Sequence, residues 1–289
     1  MKQQPLVTIG IPAYNTENFI GWAIKSVLNQ TYTNLELIIT DDGSTDRTVE
    51  IANSFNDPRI IVLSDGENYG ISYRLNQQID LAKGKYFARM DADDIMFPDR
   101  IERQVKYMEI NPDVDAISGG AIVIDETNQI LGGRGRTEIP LQMTSERWGN
   151  GMTLIHPTVI GRLEYFKKYK YLNDFKGVED RDLWFRSCAN AKIIELPEYY
   201  IFYRDPLRFK LKTYLFRRKQ NRKQWRSKVI QERYGKKKCN KVIRMSYLRS
   251  ITSTVLYLIK LDRLMMKRRN QTLNPDIESH YSRLIQNQV

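Results

Sequence analysis

The chain has 289 residues, of which 41% are hydrophobic and 11% aromatic. That is enough for one α/β unit of roughly 200 residues plus an appendage, and too apolar for wholesale disorder. Its two cysteines, Cys188 and Cys239, are far apart and suggest neither a zinc site nor a disulfide framework, so a reducing compartment is expected. The net charge of +12 conceals a split: residues 1–203 hold 22 Lys+Arg against 29 Asp+Glu, a net of −7, whereas residues 204–269 hold 23 against 3, a net of +20. The split predicts two parts, residues 1–205 and a basic helical extension over 206–289.

The apolar stretch Leu6 to Ile11 is too short for a secretory leader and reads as a buried strand. Ile251 to Leu261, which includes Lys260, falls short of the roughly 18–20 residues a membrane span needs. A soluble or peripheral cytoplasmic protein is therefore expected. In chain order, strands are predicted at Val7–Ile11, Leu35–Ile39, Ile60–Leu63 and Lys85–Met90. Helices are predicted between them at Asn18–Leu28, Asp46–Phe55 and Gly70–Leu81. This β-α-β-α-β-α-β run predicts a mostly parallel sheet with helices on both faces and ligands at the carboxyl ends of the strands. Pro98–Ile110 reads as a helix stopped by Asn111-Pro112, Ala116–Ile124 as a strand, Gly132–Arg136 as a mobile loop and Glu179–Ala189 as a helix. From Leu207 the pattern is helical and basic. Met245, Leu248, Ile251, Val255, Leu258 and Leu261 form an apolar stripe, with Arg244, Arg249, Lys260 and Arg263 around it.

The unusual residues lie where strands end. Met90-Asp91-Ala92-Asp93-Asp94 places three carboxylates directly after an apolar strand, a charge that burial tolerates only beside a cation. Asp93 or Asp91 could ligate a divalent ion, and hard oxygen ligands favour Mg²⁺ or Mn²⁺. The plain alternative is a solvated acidic turn. In Asp41-Asp42-Gly43-Ser44-Thr45-Asp46, a turn and a helix cap account for the last four residues but not for two adjacent acids. An acid there could accept from a nucleobase N–H or a ribose hydroxyl. Tyr14, in Pro12-Ala13-Tyr14-Asn15, could stack on a base or belong to an ordinary turn. Glu179-Asp180 could supply a general base or merely decorate a helix start. His156 is read as a packed histidine, with contact to a metal or diphosphate as the sharper alternative.

Together these segments resemble the inverting glycosyltransferase family two, of GT-A fold and bacterial cell-surface polysaccharide type. The resemblance runs from Pro5 to Tyr203. It includes Ala23-Ile24-Lys25-Ser26-Val27-Leu28-Asn29-Gln30-Thr31-Tyr32, Asn68-Tyr69-Gly70-Ile71-Ser72, Ala82-Lys83-Gly84-Lys85-Tyr86, His156-Pro157-Thr158-Val159 and Asp182-Leu183-Trp184, besides the motifs above. It implies a nucleotide site of Pro12, Tyr14, Asp41, Asp42, Asn68 and Asp91, and a donor site of Ala92, Asp93 and Arg74. It implies Mn²⁺ or Mg²⁺ on Asp93 and Asp180 as the base with Glu179 beside it; His156 stays the sharper alternative as a further metal ligand. The implied reaction displaces the diphosphate of a nucleotide sugar, a UDP-sugar by family habit, with inversion and no covalent intermediate. The sequence departs from the family pattern where Tyr203-Arg204 is followed by Asp205-Pro206 with no His, and where Arg181 replaces an aromatic. The rival readings are a sugar-phosphate nucleotidyltransferase and a non-catalytic nucleotide-binding protein. The first usually carries a glycine-rich activation loop with a Lys near the N-terminus, which is not visible here.

The basic region carries no nucleic-acid motif, so no nucleic-acid partner is expected. It reads either as helices packed on the first part or as an attachment to anionic lipid. The second reading suits a lipid-diphosphate-linked saccharide acceptor, and predicts vesicle binding that is lost on removing residues 204–289.

Overall fold

The computed structural model describes residues 4–135, 138–150, 154–205, 209–261 and 270–288. Among the described residues ten strands form one sheet. They are β1 (Val7–Ala13), β2 (Leu35–Asp41), β3 (Ile60–Leu63), β4 (Tyr86–Arg89), β5 (Ile95–Met96), β6 (Ala116–Ile124), β7 (Ile130–Arg134), β8 (Leu141–Gln142), β9 (Ile160–Arg162) and β10 (Ile193–Arg204). The order across the sheet is β3-β2-β1-β4-β9-β6-β10-β5, with β7 beside β6 and β8 beside β10. The pairs β1–β2, β1–β4, β2–β3 and β6–β10 are parallel. Both β4 and β6 run antiparallel to β9, so six strands share one direction. This is the mixed, mostly parallel α/β sheet of a GT-A fold, followed by C-terminal helices.

Alternation along the strands divides the core between the two faces. Val7, Ile9 and Ile11 of β1 and Leu37 and Ile39 of β2 meet α1 (Ile20–Leu28), α2 (Thr48–Asn53) and α4 (Arg100–Ile110). Phe87 of β4 points the other way, towards α3 (Ile71–Leu81), α6 (Leu163–Tyr169) and α7 (Glu179–Ser187). A short α5 (Ser145–Gly149) adds Trp148 to that second face. Gly84 leads the chain into β4 where two backbones nearly touch. A Cβ there would lie 2.6 Å from Thr8 N and 2.7 Å from Tyr86 O. Backbone cannot yield as a side chain can, so Gly84→Ala should destabilise by about 1–3 kcal/mol, lowering the melting temperature by about 3–8 °C. A variant that melts with its parent would show that β1 and β4 can part there.

One expectation needs correction. Gly132–Arg134 is not a loop: it lies in β7, antiparallel to β6, and Gly133 exchanges backbone hydrogen bonds with Gln271 at 2.8 and 2.7 Å. The glycines permit close approach, since a Cβ on Gly132 would collide with Gln271 O. Arg136 lies outside the described residues.

The basic helices are α8 (Leu211–Trp225), α9 (Lys228–Tyr234) and α10 (Lys236–Leu258). Trp225, Ile230, Cys239 and Ile243 join the core that holds Leu183, Trp184 and Phe185 of α7. The apolar stripe, however, is not the packed face. The buried side of α10 is Cys239, Ile243, Ser246, Ser250 and Ser253, and Arg222 of α8 donates to the Ser246 and Ser250 hydroxyls at 3.3 and 3.2 Å. Met245, Leu248, Ile251, Val255, Leu258 and Leu261 remain exposed, from 44% at Met245 to 72% at Leu258. Arg263 lies outside the described residues. A last helix, α11 (Pro275–Gln286), stacks Tyr281 on Phe97 at 4.9 Å and closes the β5–β10 edge.

Candidate active site

The carboxyl ends of β1 and β2 are tied into one ledge. Pro12 pairs with Thr40 and Ala13 with Asp41 in the parallel register. Asn15 donates its backbone N–H to Ser44 Oγ at 2.9 Å and accepts from Thr45 N at 2.8 Å. The buried Asp41 carboxylate takes the Ser44 N–H at 3.1 Å and the Ser64 hydroxyl at 3.0 Å. Asp42 accepts from Tyr69 N at 2.9 Å, Gly70 N at 3.0 Å and Arg74 Nε at 3.1 Å, while its carbonyl accepts from Asn68 Nδ2 at 3.0 Å. Gly43 allows this crowding: its φ is +76°, and a Cβ would lie 3.0 Å from the Glu67 carbonyl carbon. Tyr14 stands half out of the ledge at 51% exposure, a free aromatic face beside two structured acids.

Arg74 is fully buried beneath this ledge. Its guanidinium reaches Asp42, both oxygens of Asp65, Gln77 Oε1 and the Glu67 carbonyl. Those five bonds use all five N–H groups of the fork. Its work in this structure is therefore to hold the Asp42 and Glu67 loops, with none of its donors left for a ligand.

The acid triplet lies next to the ledge, because β4 pairs with β1 and Met90 N donates to Gly10 O at 3.1 Å. Ligand oxygens of Asp91, Asp93 and Asp94 lie within 4.8 Å of one another. Desolvation, then the Asp91 charge, pushes Asp93 up to about 6. Burial, then Asp93 and Asp91, raises Asp94 well above the carboxylate range. Asp94 Oδ1 accepts from Arg204 N at 2.8 Å, while Oδ2 is buried with no partner. Three hard oxygen donors under mutual repulsion, one of them orphaned, fit a divalent cation. His156 is not in this cluster. Its Nε2 bonds Tyr171 OH at 2.8 Å, and burial, then Arg89, lowers its pKa well below the usual value, keeping it neutral. The structure thus favours the packed-histidine reading over a metal ligand.

Glu179 and Asp180 open α7, with Val178 at the cap. The helix dipole should lower both acids, but burial overrides it. Burial, then the Asp180 charge, pushes Glu179 up to about 7, and its Oε2 has no partner. Burial likewise raises Asp180. A base drawn from this pair is ionised only above the ordinary carboxylate range, so activity should fall on the acid side earlier than for a free carboxylate. The Asp180 charge raises Glu179, whereas the raised Asp180 owes its shift to burial, so Glu179→Gln should leave the acid limb of the rate–pH profile in place. A limb that moves downwards would make Glu179 the titrating base.

Two arginines join these parts, and sequence reasoning gave neither a role in the site. Arg89 ends β4, is buried, and pairs with Asp91. Its Nε and Nη1 have no hydrogen-bond partner. Its charge also acts on Asp94, Glu179, Asp180, Tyr171 and His156, so it lies electrostatically between the acid triplet and α7. A lone Arg ending an apolar strand before three acids was the available signal. Arg204 ends β10, donates from Nε to Asp93 O at 2.9 Å and from Nη2 to Asn128 Oδ1 at 2.7 Å, and covers the Phe19 ring at 4.5 Å. The neighbouring Asp205 pairs with Arg134 at 2.7 Å. Pro206 lies outside the described residues.

Residues 8–170 match the family model described as "Glycosyl transferase family 2", more than half of the chain. The chain belongs to glycosyltransferase family 2. This glycosyltransferase is 33% identical over 222 residues to an uncharacterized glycosyltransferase of Haemophilus influenzae, covering 71% of this chain and 67% of that one. Among solved structures it resembles S. aureus TarS 1–349 in complex with UDP-GlcNAc, with TM-score 0.61 and 18% identity over 78% of this chain and 70% of that one. It also resembles the Pyrobaculum calidifontis mannosyltransferase PcManGT in complex with GDP-Man and Mn²⁺, with TM-score 0.62 and 16% identity over 88% and 76%. At such identities the structural likeness concerns the fold. The family membership makes the protein a glycosyltransferase enzyme and sets the nucleotidyltransferase and non-catalytic readings aside.

Proposed function

We propose that this glycosyltransferase moves a sugar from a nucleotide-diphosphate sugar, a UDP-sugar first, to an acceptor hydroxyl with inversion, in the synthesis of a surface polysaccharide. The observation that carries this reading is the oxygen-donor triplet Asp91, Asp93 and Asp94 beside the β1–β2 ledge, with Arg89 acting on both it and Glu179-Asp180. Residues 1–205 would carry the donor and base chemistry. Pro12, Tyr14, Asp41, Asp42 and Asn68 border the base and ribose, with Asp91 and Ala92 next to them. Asp93 and its neighbours would hold Mn²⁺ or Mg²⁺, whose chemistry is to offset charge on the departing diphosphate. Asp180 takes the proton of the acceptor hydroxyl. The freed oxygen bonds to the anomeric carbon as the bond from that carbon to the diphosphate oxygen breaks, and the electron pair leaves with the nucleoside diphosphate.

The test is donor hydrolysis in Mn²⁺ or Mg²⁺ over UDP-, GDP- and dTDP-sugars, reading free nucleoside diphosphate beside an Asp93→Ala control. Metal-dependent release from one donor, absent in the control, is expected. Equal release by the control would remove Asp93 from the reaction.

Residues 206–289 would seat the enzyme on an anionic membrane surface as a peripheral protein. No helix among the described residues is long and apolar enough to cross a membrane. The outward row Leu248, Ile251, Val255 and Leu258 lies in the region of +20 charge, as an interfacial helix requires. Because Trp225 and Ile243 belong to the core around α7, point changes test this better than truncation. Leu248→Glu with Ile251→Glu should lower binding to phosphatidylserine vesicles by about tenfold or more while leaving the melting curve in place. Parental binding that also ignores salt would end the proposal.

A further inference from the structure

Between α5, α7, α8 and α10 lies an open groove of about 1120 Å³. Seven Lys and Arg side chains and no acid line it, among them Arg181, Arg218, Lys241 and Arg244. Among the described residues none of the seven forms a salt bridge, although the Asp180 charge acts on Arg181. The wall includes Trp225 and Tyr234, whose rings lie 5.5 Å apart and fix the shape of the groove. Arg181 connects the groove to the site. It follows Asp180 directly, its Nε is buried with no partner, and Asp180 is the first charge that acts on it. Burial holds its pKa below the usual arginine value, so this cation sits in a place where an arriving anion would be welcome. At the other side, Met245 lines the groove and begins the exposed apolar row of α10.

A concave cluster of cations with no acid in its lining binds multiply charged oxyanions, because several N–H donors converge on oxygens that each accept more than one bond. The donor diphosphate already has a place in the reading above, at the acid triplet. We propose that the groove binds a phosphoryl group carried by the acceptor, and that Arg181 fixes that group so the acceptor's sugar hydroxyl meets Asp180. The proposal rests on Asp180 being the base. Two sources share this chemistry, a lipid-linked diphosphate lying along the apolar row of α10 and a phosphorylated glycan free in solution.

The full-length protein is titrated by calorimetry in EDTA with inorganic pyrophosphate and, separately, with geranyl diphosphate. Without a metal the acid triplet repels both probes. The comparison variant is Lys237→Gln/Lys241→Gln/Arg244→Gln, three groove residues away from the donor and base machinery. Wild type should bind pyrophosphate, and the variant should bind it about tenfold or more weakly. Both should bind UDP with Mn²⁺ equally. Pyrophosphate should also bind with UDP·Mn²⁺ already in place, since an acceptor site must fill alongside the donor. Geranyl diphosphate about tenfold tighter than pyrophosphate would assign the lipid-linked source, and equal affinity the soluble one. No binding by wild type, an unchanged affinity in the variant, or competition with UDP would each overturn the proposal. So would a single-stranded oligonucleotide that displaces both probes at far lower concentration. Failure of UDP·Mn²⁺ to bind wild type, with the groove difference intact, would count against the donor reading and leave the groove standing.

Discussion

Asp180→Asn should lower sugar transfer by about 10²–10⁴-fold with nucleotide affinity unchanged. The replacement keeps the size and the acceptor oxygen, which matters at the buried start of α7, where the carboxylate also meets the backbone of Arg181. What it removes is the capacity to take a proton. The acceptor hydroxyl would then have to lose its proton to water in a site that burial has largely dried. Turnover with the donor held saturating reads the loss, and calorimetry with UDP and Mn²⁺ reads the control. A comparable loss of UDP affinity would move Asp180 from the acceptor side to the donor side. Arg181→Gln makes a useful companion, because it keeps the base but removes the neighbouring cation. It should leave the donor site intact, disturb the proton step through the Asp180 charge, and weaken the hold on the acceptor's phosphoryl group.

Asp93→Ala has the second large effect, and it runs in two directions. In Mn²⁺ the variant should lose about 10²–10³-fold in affinity for UDP-sugar, the several kcal/mol that a divalent ion supplies at a diphosphate. In EDTA it should be no less stable than wild type at pH 7.5. The sign follows from the raised Asp93 pKa of about 6 against an ordinary 3.8. The native state holds that proton more tightly than the unfolded chain. Stability therefore falls as pH rises from about 4 to about 6, and the charged form remains a burden above that. Removing the carboxylate lifts the burden, and metal binding lifts it for wild type. Melting curves in EDTA and in Mn²⁺ separate the two: Mn²⁺ should raise the wild-type curve and leave the variant where it was. A variant that melts well below wild type in EDTA would mean that Asp93 chiefly holds the fold.

Much of this was legible in residues. The first four parallel strands and the helices between them stand within a few residues of where apolar period and turn signals put them. The reason is that a buried parallel strand and an amphipathic crossover leave strong, different patterns. The acids at the ends of β2 and β4 and at the start of α7 followed from those placements. The short antiparallel strands β5, β8 and β9 were not legible, since two or three residues carry no period. Arg74 was misjudged because a sequence cannot show that five hydrogen-bond acceptors surround one guanidinium. His156 could be weighed only against base rates until Tyr171 stood beside it. The packed side of α10 was not legible either: apolar residues at helical spacing ordinarily mark it, but here serines pack against α8 through Arg222, and the spacing marks the outside.

The sharing of one core by α7 and the basic helices bears on how the chain is made. The ledge at β1 and β2 emerges within about the first hundred residues, and such a segment can begin to order as synthesis proceeds, whereas the acid triplet waits for Arg204 to reach Asp93 and Asp94. The helix that carries Glu179 and Asp180 finds Trp225, Ile230 and Ile243 only after the chain has grown well past its own end. On the roles proposed above, the base settles last: the part of the chain that carries the ledge emerges well before the part that fixes α7 in place.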